Sequence, residues 1–389
     1  MTVPFAQALS RHPDAAEATG EVVGAVLERL AGPPDLALLF CSPHHTEAVP
    51  DIAAAVRDLV RPAVLAGATA TAVVGGDEEV EDDPAVALWA ARLPAPPRPL
   101  RLTAAPTAGG VVLSGLSSRT FEPGDVLLLL ADPFTLPVDA IVDALGGLDP
   151  PVPVAGGMAS ADHRPGGNRL VLDGEVVDDG GVGVVLPAAA APRVVVSQGC
   201  RPLGQPMIVT RAEGNLVLEM AGRSALERLE EAVAGASPDE RARLAAGLHI
   251  GIAVDEHRMT FESGDFLVRA VVGADRDAGA LALGQRVDVG TTVQFHVRDA
   301  EAADQDLRRL MAGRDGDGAL VFTCNGRGRH LFGAPDHDAR VVAEAIDSRA
   351  VAGMFCAGEI GPIGTRSYLH SFTASVVLFG DDFTGAKAG

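Results

Sequence analysis

Three stretches of the chain share one order of apolar and polar positions. Each begins with an unbroken apolar run: DLALLF at 35–40, GDVLLLLADP at 124–133 and GALVFTCNG at 318–326. A segment with helical spacing follows, at 46–61, 138–146 and 336–346. Next comes a short apolar stretch with glycine: VLAG at 64–67, VPVAGG at 152–157 and VAGM at 351–354. After a loop, each stretch closes on another apolar run, AVALWAARL, GVGVVL or ASVVLF. Runs without alternation predict strands buried on both faces, as in a sheet covered by helices. The order strand, helix, strand predicts three βαβ-like crossovers with a returning strand. The spans from strand start to glycine are alike: Asp35 to Gly67, Asp125 to Gly156, Gly318 to Gly353. Glycine at such a place lets two backbones approach closely. The plainer reading is coincidence in a chain rich in Ala, Val and Gly.

Between the second and third stretches the pattern changes. Residues 194–222 alternate Val, Ile and Thr with Pro-Leu-Gly and Glu-Gly-Asn turns, which predicts a meander. A helix is predicted over 223–235, strands over 264–274 and 291–299, and a helix over 299–313 with an Asp start and a Gly stop. The expected fold is α/β: two intertwined α/β domains with buried mixed sheets and repeated βαβ-like units. The expected layout is a helical extension at 1–34, a first domain at 35–222, a second at 223–380 and a tail at 381–389.

Composition narrows the function classes. Hydrophobic residues make up 47% but aromatics only 4%, so the cores must be built from Val, Leu and Ala. The net charge of −21 offers no footprint for nucleic acid and mainly serves solubility. Lys387 is the only lysine, in a polar, Gly-rich tail, which leaves Schiff-base chemistry almost no candidate. The N-terminus lacks the basic and apolar regions of a signal peptide, and no apolar run is long enough for a membrane span. The four cysteines, Cys41, Cys200, Cys324 and Cys356, form no CxxC. Reduced thiols in the cytoplasm fit this spacing better than a disulfide framework.

The residues after the third stretch's strands carry the most chemistry. In open α/β sheets, ligands sit beyond the carboxyl ends of strands. Cys324, Asn325, Gly326, Arg327 and Gly328 follow one such run. Asn325 offers a donor and an acceptor, and Arg327 a fork for a carboxylate or phosphate. Glycines at 326 and 328 bring backbone N–H groups within reach. Cys356, Gly358 and Glu359 follow the next run, where Glu359 could receive an ammonium or pair with Arg327. Arg201 and Arg269 stand beside apolar runs, so each must be paired or face a cavity. His370 is a conceivable partner for Cys356. The plainer readings are a tight turn, a turn-capping acid and inert buried thiols. His296 lies between Phe295 and Val297 and so points away from their face. The acidic run 78–83 reads as a solvated loop. No cluster has metal spacing, and no cofactor is expected.

Several of these segments resemble the FIST family, with its FIST N and FIST C domains. The specific ones are VSQGCRPLG (196–204), GDFLVRAVVGAD (264–275), GTTVQFHVRDA (290–300), FTCNGRGRHLFG (322–333) and CAGEIGPIG with LHSFTASVVLF (356–379). AGATATAVVGGDEEVEDDPAVALWAARL (66–93) resembles the first domain more loosely. The resemblance implies a sensory, signal-transducing protein that binds a small ligand and is not an enzyme. Its output would pass through a separate signalling partner, with no nucleic acid and no membrane insertion. Two other readings stay open: a thiol-dependent enzyme using Cys324 or Cys356, and a haem-based gas sensor. The sharpest expectation is that Arg327 and Glu359 meet at the mouth of one pocket, suited to an amino acid or similar small zwitterion.

Overall fold

The computed structural model describes residues 4–30, 32–107, 110–117, 120–244, 247–258, 260–261 and 263–380. Lys387 and the tail at 381–389 lie outside them. The chain divides into two compact units. One is made of the segments up to Val196, Leu307–Leu369 and from Thr373 onward; the other holds Ser197–Asp306 and His370–Phe372. Residue 222 lies inside the second of these units. That unit's strands pair across long sequence separations, which local pattern does not reveal. No helix among the described residues is long and apolar enough to cross a membrane.

The first unit contains the three repeats, and they share one register. Leu36–Cys41 runs parallel to Val64–Thr69, Val126–Ala131 to Val154–Met158, and Gly318–Cys324 to Val351–Cys356. Gly67, Gly156 and Gly353 occupy the same place, opposite Leu39, Leu129 and Val321. The packing explains the residue type. A Cβ on these glycines would lie 2.4, 2.0 and 1.8 Å from the carbonyl oxygens of Leu39, Leu129 and Val321. In each repeat the returning strand is antiparallel to the first, pairing Leu36 with Ala91, Val126 with Leu186, and Gly318 with Phe379.

Each repeat also sends a hairpin into the sheet of another. Val171, from the second repeat, pairs with Gly67; Ile360, from the third, with Gly156; Val74, from the first, with Gly353. The exchange is cyclic, so no repeat completes its own sheet. The helices Val49–Val60, Val138–Gly146 and His337–Ile346 cover the sheets. The inner faces of all three sheets share one core, including Phe40, Trp89, Leu128 and Phe322. The N-terminal segment is more than a helical extension. Phe5–Ser10 is an edge strand on Val86–Ala91. It precedes the helix Ala15–Arg29, whose N-cap Asp14 accepts hydrogen bonds from the amides of Ala16 and Glu17.

The second unit is built around a closed antiparallel barrel of six strands. Cys200–Glu213, Thr292–Arg298, Leu248–Ala253, Phe266–Asp275, Ala280–Leu283 and Leu216–Met220 pair in that order, and the last returns to the first. Ile250, Val293, Phe295 and Val297 fill its core. The helix Ala225–Gly235 starts with a capping box between Ser224 and Glu227.

Candidate functional site

The third repeat departs from the other two at the carboxyl ends of its parallel strands. One position before the glycine-paired hairpin residue in sequence, the first two hairpins carry buried Val73 and Leu170. At the matching place the third carries Glu359, opposite Gly157 and fully buried. Apolar neighbours cannot solvate a carboxylate, so its surroundings become decisive. Thr373 donates to its Oε2 from both N–H (3.1 Å) and hydroxyl (2.9 Å). Its Oε1 has no partner among the described residues. Burial raises the Glu359 pKa to about 8, against hydrogen bonds from Thr373 and Cys324 and the charge of Arg327. At neutral pH the group therefore holds its proton.

Arg327 is also buried, with only 1% exposure. Its Nε and Nη2 donate to the two oxygens of Asp338, at 2.7 and 2.8 Å. Phe332 lies 5.3 Å beneath the guanidinium, and Nη1 has no partner among the described residues. Asp338 also accepts from the Thr323 hydroxyl at 2.6 Å. Burial opposes ionisation of Asp338, but Arg327 and these hydrogen bonds prevail and hold its carboxyl far below the ordinary range. Burial likewise works against the Arg327 charge, and Asp338, with Cys324 and Glu79, outweighs it.

Glu79 arrives from the first repeat through the exchanged hairpin. It is 2% exposed, its Oε1 accepts the Ala339 amide at 3.0 Å, and its own amide donates to Asp336 at 2.8 Å. In effect it caps the third repeat's helix from another part of the chain. Burial, with Asp338 nearby, raises its pKa to about 8. Neither its Oε2 nor Asn325 Oδ1 has a partner among the described residues. The expectation of a solvated loop at 78–83 is thus corrected. Glu79 is buried, Glu81 accepts the Arg329 amide at 2.9 Å, and Asp82 pairs with the Arg329 side chain at 3.4 Å.

The structure therefore brings Cys324, Asn325, Gly326, Arg327, Gly328, Cys356, Gly358 and Glu359 into one neighbourhood. Cys324, Asn325 and Gly326 are half-buried, and the charges lie beneath them. Asn325 N donates to Cys356 O at 3.0 Å, and Met158 N to Gly358 O at 2.9 Å, which ties these ends to the second repeat. Gly328 sits at φ +60, where a Cβ would strike Phe355. Two details correct the expectation. Arg327 and Glu359 are close enough to influence each other electrostatically, yet both are buried rather than at a mouth. Arg327 spends its fork on Asp338, because a buried guanidinium requires a buried counter-charge.

Arg201, Arg269 and His370 belong to the other compact unit. Arg201 donates to Asp299, which caps a helix through the Ala302 amide. Arg269 donates to Gln285, and His370 is buried. His296 is buried too, opposite the barrel core, with its Nδ1 3.0 Å from Gln294 O; burial lowers its pKa to about 4. Glu79 and Asp338 were missed by sequence reasoning. Asp338 had a signal, since it precedes Val341 and Val342 at i+3 and i+4 on the apolar helix face. Glu79, inside a run of acids, had none.

Two family models match the chain: the FIST N domain over residues 35–223 and the FIST C domain over 225–362. Among similar proteins is the uncharacterized protein Rv0628c of Mycobacterium tuberculosis strain H37Rv. It is 45% identical over 381 residues, covering 96% of this chain and 98% of that protein. The uncharacterized protein Mb0898c of Mycobacterium bovis is 45% identical over 378 residues, covering 95% and 97%.

Proposed function

This chain belongs to the FIST family, and we propose that it is a sensor of a small zwitterionic ligand, of the amino-acid class, bound at the strand ends of its third repeat. The observation that carries this reading is a set of buried polar atoms there without a partner among the described residues: Arg327 Nη1, Asn325 Oδ1, Glu359 Oε1 and Glu79 Oε2. Unsatisfied buried groups are costly, so a fold keeps them where something else satisfies them. A ligand carboxylate takes Arg327 Nη1, and its ammonium takes Glu359 Oε1 and Asn325 Oδ1. Binding shifts the equilibrium between conformations of the strand ends, and a separate signalling protein reads the shift. The four free cysteines suit a reducing, cytoplasmic compartment.

Protonation gives the reading a signature. Burial leaves Glu359 neutral below about pH 8, and an arriving ammonium favours the carboxylate. Binding then releases a proton and strengthens as pH rises toward 8. Calorimetric titration with the common amino acids, repeated in buffers of different ionisation enthalpy, tests this. At least one amino acid is expected to bind with proton release. Glu359→Gln should weaken it roughly 30-fold or more and abolish the buffer dependence. A panel without a binder, or equal affinity in the variant, would remove the proposal.

A further inference from the structure

The same strand ends hold two thiols side by side. Cys324 and Cys356 are register partners on adjacent parallel strands. They extend the inward-facing series Leu320, Phe322 and Ala352, Met354, so both side chains point into the central core. Parallel neighbours in register lie about 4.8 Å apart at Cα, inside the range of about 4.4–6.8 Å that a disulfide spans. The matching pairs in the other repeats are Ser42 with Ala70 and Asp132 with Ala159, which cannot cross-link. Cys356 Sγ occupies space that any side chain at 157 would need, since a Cβ on Gly157 would come within 2.3 Å of it. Glu359, the pairing partner of Gly157, is hydrogen-bonded to Cys324 and acts on the ionisation of Cys356. Two thiols and a carboxyl thus share one small volume.

We propose that Cys324 and Cys356 form a reversible dithiol, oxidised by a peroxide to a disulfide across the third repeat's parallel strands. The two differ as such a pair requires. Cys324 is half-buried, so a peroxide can reach its sulfur. Cys356 is fully buried, and its pKa is raised well above 9 by burial first, then by Glu359 and Cys324. Cys324 therefore reacts first. Its sulfur attacks one peroxide oxygen; the O–O bond breaks, an S–O bond forms, and the departing alkoxide or hydroxide takes the thiol proton. Cys356 sulfur then attacks Cys324 sulfur; the S–S bond forms, the S–O bond breaks, and hydroxide leaves with the Cys356 proton as water. Two thiols and one peroxide give one disulfide, one alcohol or water, and one water. Glu359 is placed to relay the proton.

This goes beyond the ligand reading and does not depend on it. The full-length protein, reduced and then treated with one equivalent of hydrogen peroxide without ligand, is alkylated and mapped by mass spectrometry. The expected product is a Cys324–Cys356 peptide lighter by two hydrogens, reversed by a thiol reductant, with Cys41 and Cys200 alkylated as before. Cys356→Ser should leave a sulfenic acid on Cys324 that dimedone captures; Cys324→Ser should leave Cys356 untouched. Both thiols recovered free, a link to Cys41 or Cys200, or equal reactivity in the two variants would overturn the proposal. Glu359→Gln separates the two ideas: lost ligand binding with the disulfide still forming leaves this one standing.

Discussion

The first and third repeats have the same backbone joint and opposite interiors beside it. In the first, the strand ends carry Ser42 and Ala70, and the incoming hairpin Leu170. Ser42 is satisfied by accepting the Ala85 amide at 2.8 Å. In the second, Asp132 at the matching position accepts from Phe134 N and the Thr135 hydroxyl. In the third, the same places hold Cys324, Cys356 and Glu359, and the helix face adds Asp338. The register and the glycines specify the scaffold, and the scaffold tolerates very different contents. The other two copies fill these positions with aliphatic side chains and local hydrogen bonds, although buried His45 Nε2, just past the first copy's strand, has no partner among the described residues. The third holds four buried polar atoms without a partner among the described residues, an arrangement that costs stability.

The joint itself should give the largest effect. Gly67→Ala, Gly156→Ala and Gly353→Ala each press a Cβ into a carbonyl oxygen of the neighbouring strand. Each should destabilise by roughly 5 kcal/mol or more, measured by denaturant unfolding. Similar losses at all three sharpen the equivalence, and a well-tolerated alanine at one of them breaks it.

Next comes the Arg327–Asp338 pair, in which, unlike any pair of the other repeats among the described residues, both side chains are fully buried. Arg327→Ala leaves Asp338 charged and buried, at a cost of about 3–5 kcal/mol. Replacing both partners with Met and Leu should recover most of that loss. A single variant melting within a few degrees of the parent would mean that Asp338 is solvated, contrary to the geometry.

The smallest effect makes the third repeat resemble the first. Glu359→Leu places there the residue that stands at position 170. Glu359 has a folded pKa of about 8 against an ordinary 4.5. Below about 4.5 both folded and unfolded chains hold the proton, and its stabilising contribution is whole. From there to about 8 the unfolded chain ionises and the folded chain does not, so the contribution is lost as pH rises. Glu79 acts in the same direction. Glu359→Leu should flatten the fall in melting temperature between about pH 4.5 and 8 and raise stability near pH 8 by roughly 1–3 kcal/mol. An unchanged pH profile would show that Glu359 is ionised in the folded protein.

Much of this was legible in the chain, for reasons that differ from residue to residue. Unbroken apolar runs such as LALLF and VLLLL announce doubly covered strands, because no polar face is needed. The spacing to Gly67, Gly156 and Gly353 announced the joint, since a close backbone approach admits no Cβ. The chain also marked Cys324–Gly328 and Cys356–Glu359 as polar segments at the carboxyl ends of such strands. The hairpin exchange was invisible, because pairing Val74 with Gly353 needs contact across some 280 positions that no local pattern encodes. That exchange turned Glu79 from one acid in a charged run into a buried helix cap. It also placed Glu359 over Gly157, beside both thiols. The sequence alone thus determined which segments become strands and which of their ends carry reactive groups, since periodicity and glycine act locally. Only the tertiary structure decided which group Arg327 pairs with, which acids lose their water and which thiols become neighbours. Burial and charge pairing depend on what the rest of the chain brings to the same place.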